Sequence, residues 1–420
     1  MRAIRVGICV LAAFAVLAFG TVEIWSESIL EGGAAALFLW WAILAFLRRD
    51  IEIRWNRIFW PVLAFLGIVS VQLAFGVTAY PFLTRVALLK VVACALLFFL
   101  SVQSFRTRHD LRFVAWFLMS FGFVVAVLGI AQNYTSHEVL YWFRPLTEGG
   151  SPFGPYVDRD HFAGFMELVV PVGMSLIVLR GVPREQMMFT GILTLLPILA
   201  LVLTGSRGGI VSLVFEVGLL AALMRVRKAR FQGAAVAAIL LTALAALMWL
   251  GAGKVLDRMK ESSADLSADR RVTMLKGAWH IFLDHPLAGT GLGTLVAVYP
   301  KYEAFYDGRI VDHVHDDYAE ALAETGVAGG LCGLAFLVLL FRDARRRLLT
   351  EGQSPFSQAV HTAGTVACAG LLVHSLVDFN LHIPANGLVF LLQAAVVLSP
   401  AFHRRQAGLN HLTRVQEFRH

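Results

Sequence analysis

Long apolar runs recur along the whole chain, and they limit its fold more than any motif does. They cover about Val6–Val22, Gly33–Leu47, Phe59–Val77, Val86–Gln103, Phe113–Ala131, Phe162–Leu179, Met188–Thr204, Gly208–Met224, Gly233–Gly251, Val327–Phe341, Ala359–Val377 and Ile383–Leu398. Each is close to the roughly 20 residues that carry a helix across a bilayer. A soluble core has no use for so many all-apolar helices. Only 15% of the residues are charged, against about 25% in soluble domains. Backbone in contact with lipid must satisfy its own hydrogen bonds, so the runs are expected as helices. The expected fold class is an all-α polytopic membrane protein of about twelve transmembrane helices.

Lys and Arg set the expected orientation. Arg2 and Arg5 precede the first run. Alternate connections then hold Arg48, Arg49, Arg54 and Arg57; Arg106, Arg108 and Arg112; Arg180 and Arg184; Arg225, Arg227, Lys228 and Arg230; and Arg342, Arg345, Arg346 and Arg347. Arg404 and Arg405 follow the last run. With twelve spans all of these share one side, so both termini are expected in the cytoplasm. The N-terminus imitates a signal peptide but lacks a small-x-small cleavage site, and reads as an uncleaved first helix. The net charge of +7 therefore reflects loop topology rather than nucleic-acid binding. Cys9, Cys94, Cys332 and Cys368 lie in apolar runs without CxxC spacing and read as small buried hydrophobes.

The opposite side carries the longer connections, of which Gly253 to Gly326 is the longest. The chain divides on this reading into 1–131 (five spans), 132–252 (spans six to nine), 253–326 (a large extracytoplasmic loop between spans nine and ten) and 327–420 (three spans and a cytoplasmic tail). Within the loop, Met274, Leu275, Ala278 and Phe282 recur at helical spacing, which suits an amphipathic helix from Arg271 to Leu283. The loop ends in HVHDDYAEALAETGVAGG, residues 313–330, the most polar helix-like run in the chain.

Polar residues that a membrane should discourage are the candidates for chemistry. Arg207 stands in TGSRGG (204–209), a glycine turn between two apolar runs. There it either offers bidentate donors to a phosphate or carboxylate or only snorkels to the interface. Arg270 and Arg271 head the amphipathic helix, as a second cationic arm or as a solvated charge pair. Arg159 and His161 enter the sixth run, as ligands or as interfacial anchors. His315 is the candidate general base, since imidazole titrates near neutrality. Asp316 and Asp312 are expected to orient it. The HxHDD pattern resembles a metal cluster, but spacing supplies no third ligand, and no metal site is expected. LAGTGLGT (287–294) has backbone N–H groups to offer a phosphate, with no preceding strand to suggest a nucleotide fold. His374, Asp378, Asn380 and His382 form a polar hinge between the last two runs, functional or simply buried. Tyr299, Tyr302 and Tyr306 suit either sugar stacking or a loop core.

Four segments taken together resemble the O-antigen ligase and O-antigen polymerase group of bacterial membrane glycosyltransferases. They are TGSRGG (204–209), the run from Arg271 through HPLAGTGLGT (285–294), residues 313–330, and HSLVDFNLHIPAN (374–386). The family's His-to-glycine spacing falls on His315, Asp316, Gly326 and Gly329, which selects His315 over His313. Asp316 departs from the amide or hydroxyl residue usual there. YVDRDHFAGF (156–165) is also similar, with Asp158 and Asp160 where asparagines are common. The resemblance covers about residues 150–390.

The resemblance implies a bundle like that of the C-type glycosyltransferases, in the bacterial inner membrane, with the active site on the periplasmic face. It implies a donor glycan on undecaprenyl diphosphate and an acceptor that is lipid A–core or a second lipid-linked glycan. The chemistry implied is inverting and metal-independent, without cofactor. His315 would be the base, and Arg207 and Arg271, seconded by Arg159 and Arg270, would bind the diphosphate, with Asp316 on the acceptor side. A transporter or flippase for an anionic lipid-linked substrate is the alternative. It would call for related halves and broken helices at mid-membrane, which the sequence does not display.

Overall fold

The computed structural model describes residues 1–48, 52–136, 139–146, 150–226, 267–304, 308 and 310–403, with isolated positions 237, 241, 245 and 248. Among them the regular structure is helical, with only isolated β-bridges besides. The helices are α1 (Arg2–Leu17), α2 (Ile24–Arg48), α3 (Phe59–Ala74), α4 (Pro81–Ser104), α5 (Arg108–Thr135), α6 (Arg159–Val178), α7 (Arg184–Thr204), α8 (Arg207–Val226), α9 (Ser267–Asp284), α10 (Leu295–Val298), α11 (Asp317–Leu349), α12 (Pro355–His374) and α13 (Pro384–Leu398).

Eight of these, α2, α4, α5, α6, α7, α8, α11 and α12, are long and apolar enough to cross a membrane. The chain is thus a multi-pass helical membrane protein. The expected first, third and twelfth runs are shorter as helices: α1 and α3 have 16 residues and α13 has 15. At 1.5 Å per residue they fall short of a bilayer core of about 30 Å. The expected ninth run, Gly233–Gly251, lies outside the described residues apart from the isolated positions.

The connections gather at two ends. At one end Arg106 donates to the Glu52 carbonyl (2.7 Å), Arg5 pairs with Asp110, and Asn56 donates to Asp343 (3.2 Å). The Phe402 carbonyl accepts from Ser354 N–H (2.7 Å) there too. Arg5, Arg106 and the connection before α12, which the arginine pattern grouped together, thus share this end. At the other end Ala79 N–H donates to Thr290 (2.7 Å), Tyr156 Oη to Asn386 (2.8 Å), and Asp317 N–H to Ser375 (3.1 Å). His315 belongs to this second end.

α6 is the axis of the bundle. Every residue from His161 to Val178 is buried, and it packs most extensively against α12 and α7. One apolar core runs from Ile4 to Leu398. A second, small core sits at the site end, where Met274, Ala278 and Ile281 of α9 pack on Leu295, Tyr299, Val311, Val314 and Ala323. That places Tyr299 in a loop core rather than on a sugar-binding surface. Tyr302 donates to Asp284 (2.7 Å), and Tyr306 lies outside the described residues.

α11 joins the loop to the bundle. Its 33 residues would extend roughly 50 Å, well beyond the bilayer core, and its first turns are polar. Gly326 interrupts it at φ 61°, ψ −165°, a conformation open essentially only to glycine. The break frees Val327 and Ala328 N–H groups, which donate to Pro286 (2.8 Å) and Leu287 (3.2 Å). A Cβ on Gly326 would lie 2.4 Å from the Leu287 carbonyl carbon. The loop from Pro286 to Leu295 is therefore seated in the kink. Glu324 completes the seat by accepting from Gly293 N–H (2.7 Å) and Leu295 N–H (2.9 Å). The glycine-rich turn consequently spends these donors on α11 and does not cradle a phosphate with them.

Gly326→Ala should lower stability by about 2–5 kcal/mol, from the forbidden dihedrals and the backbone clash together. Gly333→Ala, on the same helix with open space around the added methyl, should stay within about 0.5 kcal/mol. Thermal melts of both variants in detergent check the difference.

Candidate functional site

Asp378 lies at the centre of the site end and is 2% exposed. It belongs to the short connection between α12 and α13, where an apolar bundle offers a carboxylate no water. The groups that face it come from four segments. His315 Nδ1 is 3.1 Å from Oδ1, and Asn380 Nδ2 donates to Oδ2 at 3.1 Å. His161 Nε2 and His374 Nε2 stand 3.8 and 3.9 Å from Oδ2. Burial alone would raise this carboxyl, but His161, His315 and His374 outweigh it and hold the group below the usual carboxylate range.

These groups are fixed in turn. His374 Nδ1 meets Glu167 Oε1 of α6 at 2.8 Å, both side chains fully enclosed. Asn380 accepts from Asn386 Nδ2 (2.9 Å), whose other donor contact is the His161 carbonyl (2.9 Å). Phe379 stacks on His313 at 4.2 Å and meets His161 and His315 edge-on at 4.5 and 5.0 Å. His315 itself has φ 54°, an uncommon value for a residue other than glycine and one that collects at functional sites. Its side chain is 28% exposed, so one ring edge is held by Asp378 while the other is open.

The carboxylate facing His315 is therefore Asp378, not Asp316 or Asp312 as the sequence led us to expect. Asp316 caps α11, accepting from Tyr318 N–H (3.0 Å) and Ala319 N–H (2.9 Å), a use that suits its position just before the helix. Burial raises its carboxyl. Asp312 accepts from His313 N–H (2.9 Å). Asp378 is 63 residues from His315, and the polar hinge in the sequence was the only signal of it.

The TGSRGG turn reaches the same place. Gly205 ends α7 at φ 67°, and Ser206 starts α8, its Oγ accepting from Gly209 N–H (3.1 Å). Arg207 is thus the first residue of α8. A Cβ on Gly208 would lie 2.4 Å from His374 Cδ2, so the bare glycine is what lets the turn close on the histidine. A small cavity of about 70 Å³ results, lined by Arg159, Asp160, Gly205, Arg207, Gly208, Arg271, His374, Val377 and Asp378. Three of the four candidate arginines meet there, from α6, α8 and α9. Arg270 does not line it and lies near Tyr299 instead. Beside it Asp158 caps α6 through Asp160 N–H (2.8 Å), and burial with the Asp160 charge pushes its carboxyl up to about 6 against His161.

A second histidine–carboxylate group lies across Phe379. His313 Nδ1 is 2.7 Å from Glu320 Oε1, and His382 Nδ1 is 2.5 Å from Asp317 Oδ1. Burial alone would lower His382, but Glu320 and Asp317 outweigh it and push it up to about 10. This group stands at one end of a mostly apolar cavity of about 610 Å³ between α3, α4, α11 and α13. Spacing in the sequence did not connect these residues.

Residues 192–334 match the family model described as O-antigen ligase. The matched stretch, about a third of the chain, is similar to that family of membrane glycosyltransferase-type enzymes. No curated protein matches the chain. The matched stretch contains Arg207, Arg271 and His315. Arg159 and Asp378 lie outside it and are added by the fold.

Asp378→Asn should cost about 1.5–3 kcal/mol, the value of a hydrogen bond to a charged group. The folded carboxyl titrates below its ordinary 3.8, so the charge stabilises the protein above about pH 4, and that contribution is lost as pH falls further. The melting-temperature gap between wild type and Asp378→Asn should therefore be full near neutrality and narrow in acid.

Proposed function

We propose that this O-antigen ligase-type protein transfers a glycan from a lipid diphosphate carrier, undecaprenyl diphosphate, to an acceptor hydroxyl on the periplasmic face of the bacterial inner membrane. The observation that carries the reading is the convergence of Arg159, Arg207 and Arg271 on one cavity whose wall includes Asp378, the carboxylate that holds His315. A diphosphate leaving group gains charge on its oxygens as the glycosidic C–O bond breaks. Guanidinium groups offer paired donors to those oxygens and are fully charged at any working pH. Arg207 and Arg271 are assigned this role, with Arg159 beside them.

His315 is assigned the acceptor proton. With Nδ1–H donated to Asp378, Nε2 is the basic atom and faces the open side. It takes the hydroxyl proton as the acceptor oxygen attacks the anomeric carbon. The bonding pair of the departing C–O bond stays with the lipid diphosphate, and attack opposite the leaving group inverts the sugar. Asp378 stabilises the imidazolium that forms. Glu167 and Asn380 position His374 and Asp378 and do not touch substrate. The acceptor is lipid A–core for a ligase or another lipid-linked glycan for a polymerase.

Transfer from a purified undecaprenyl-diphosphate glycan, with variant levels in the membrane matched, tests the reading. His315→Ala should fall by about 10²–10⁴-fold, and Arg207→Ala and Arg271→Ala by about 10²–10³-fold. Arg270→Ala should change little. Near-normal transfer by both His315→Ala and Arg207→Ala would overturn the assignment. Product length with defined acceptors separates single transfer from polymerisation.

A further inference from the structure

We propose that His313, Glu320 and His382 form a binding site for a divalent ion of the zinc type, separate from the His315–Asp378 pair. Among the described residues this is the one group in which three such side chains bring ligand atoms within 4.8 Å of one another. His313 Nδ1 lies 2.7 Å and His382 Nε2 3.4 Å from the same oxygen, Glu320 Oε1. Ligands about 2.0–2.1 Å from a tetrahedral zinc ion are about 3.3 Å apart. Small rotations of two imidazoles would therefore complete three of four positions.

The atoms behind the ligands are fixed in the way a metal site requires. Asp317 Oδ1 lies 2.5 Å from His382 Nδ1, which turns Nε2 toward Glu320. Asp317 is itself 4% exposed at its side chain and holds Leu381 N–H through its other oxygen (3.0 Å). Glu320 Oε2 accepts from Val314 N–H (3.1 Å), which leaves Oε1 as the inward atom. Histidine ligands commonly donate their second nitrogen to a carboxylate in this manner, which fixes tautomer and ring angle. Phe379, stacked on the His313 ring, blocks rotation from the other side.

Charge points the same way. Asp317 and Glu320 are both buried. A divalent ion held through two imidazoles would place two positive charges beside these two carboxylates. Two nitrogens and one carboxylate oxygen suit zinc better than magnesium or calcium, which take all-oxygen sets. All three ligands line the cavity of about 610 Å³, which supplies an entry path and the fourth, open position. The ligands come from the segment before α11, from α11 itself, and from the α12–α13 connection. An ion there would pin the strained segment that carries His315, and it takes no part in the proton transfer assigned above.

The test uses full-length protein purified on a tag without histidines, stripped with chelator and titrated with Zn2+ or Co2+. Elemental analysis should find one zinc per chain after removal of excess. Co2+ should give saturable visible d–d bands at one equivalent, and Zn2+ should raise the melting temperature. Glu320→Gln and His382→Ala should lose the bound ion, whereas His280→Ala, on α9 and outside the group, should keep it. Wild-type protein that takes up no more zinc than Glu320→Gln would overturn the proposal. Absence of a saturable Co2+ spectrum in wild type would overturn it independently of how the variants fold. Neither readout depends on glycan transfer, so loss of the functional reading leaves this test intact.

Discussion

One charge at the end of an apolar bundle organises the rest. A carboxylate as enclosed as Asp378 survives only with donors around it. His315 from the loop and Asn380 from the hinge hydrogen-bond to it, and the rings of His161 from α6 and His374 from α12 face it at 3.8 and 3.9 Å. Satisfying one buried group therefore fixes four segments relative to each other. Glu167, fully inside α6, extends the network toward mid-membrane through His374. Farther down, Glu216 of α8 is also fully buried, and its carboxylate packs on Gly370. Intramembrane ionisable groups of this kind are rarely retained without a use.

The loop is attached by backbone rather than by apolar area. Its own core is small, and much of its hold on the bundle runs through the kink at Gly326. There the broken α11 and the glycine-rich turn exchange hydrogen bonds in both directions. Thr290 and Gly291 N–H groups donate to the Ala323 and Glu324 carbonyls, and Val327 and Ala328 N–H groups donate back. A helix that opens at one residue gives up its own bonds to make a docking strip. His315 lies ahead of this strip, which helps to hold it at a fixed place.

The site end holds two compartments. Asp378 and the three arginines line one, and His313, His382 and Glu320 line the mostly apolar other. Phe379 stacks on His313 and meets His161 and His315 edge-on. Because the stretch matched by the O-antigen ligase family ends at residue 334, the matched stretch alone would show neither compartment whole. Arg159 and Asp378 line the first, and His382 lines the second.

The apolar runs by themselves determined an all-helical membrane protein, because lipid leaves the backbone no other partner. The arginine pattern sorted the connections into two groups, and among the described residues Arg5 and Arg106 of one group lie at the end opposite His315. Arg159, Arg207, Arg271 and His315 were legible as charges and an imidazole where lipid discourages them, and the resemblance of their segments picked them out. What the sequence could not reveal was which carboxylate faces His315. Asp316 was nearest along the chain but is spent on capping α11, while Asp378 arrives from another helix connection. The same holds for Arg270, which shares a helix with Arg271 and yet does not reach the cavity, and for His382, which meets His313 only across the hinge. Spacing along a chain reports neighbours within one element. Contacts between elements depend on how apolar faces and glycine gaps let the helices pack, and only the tertiary structure decided those.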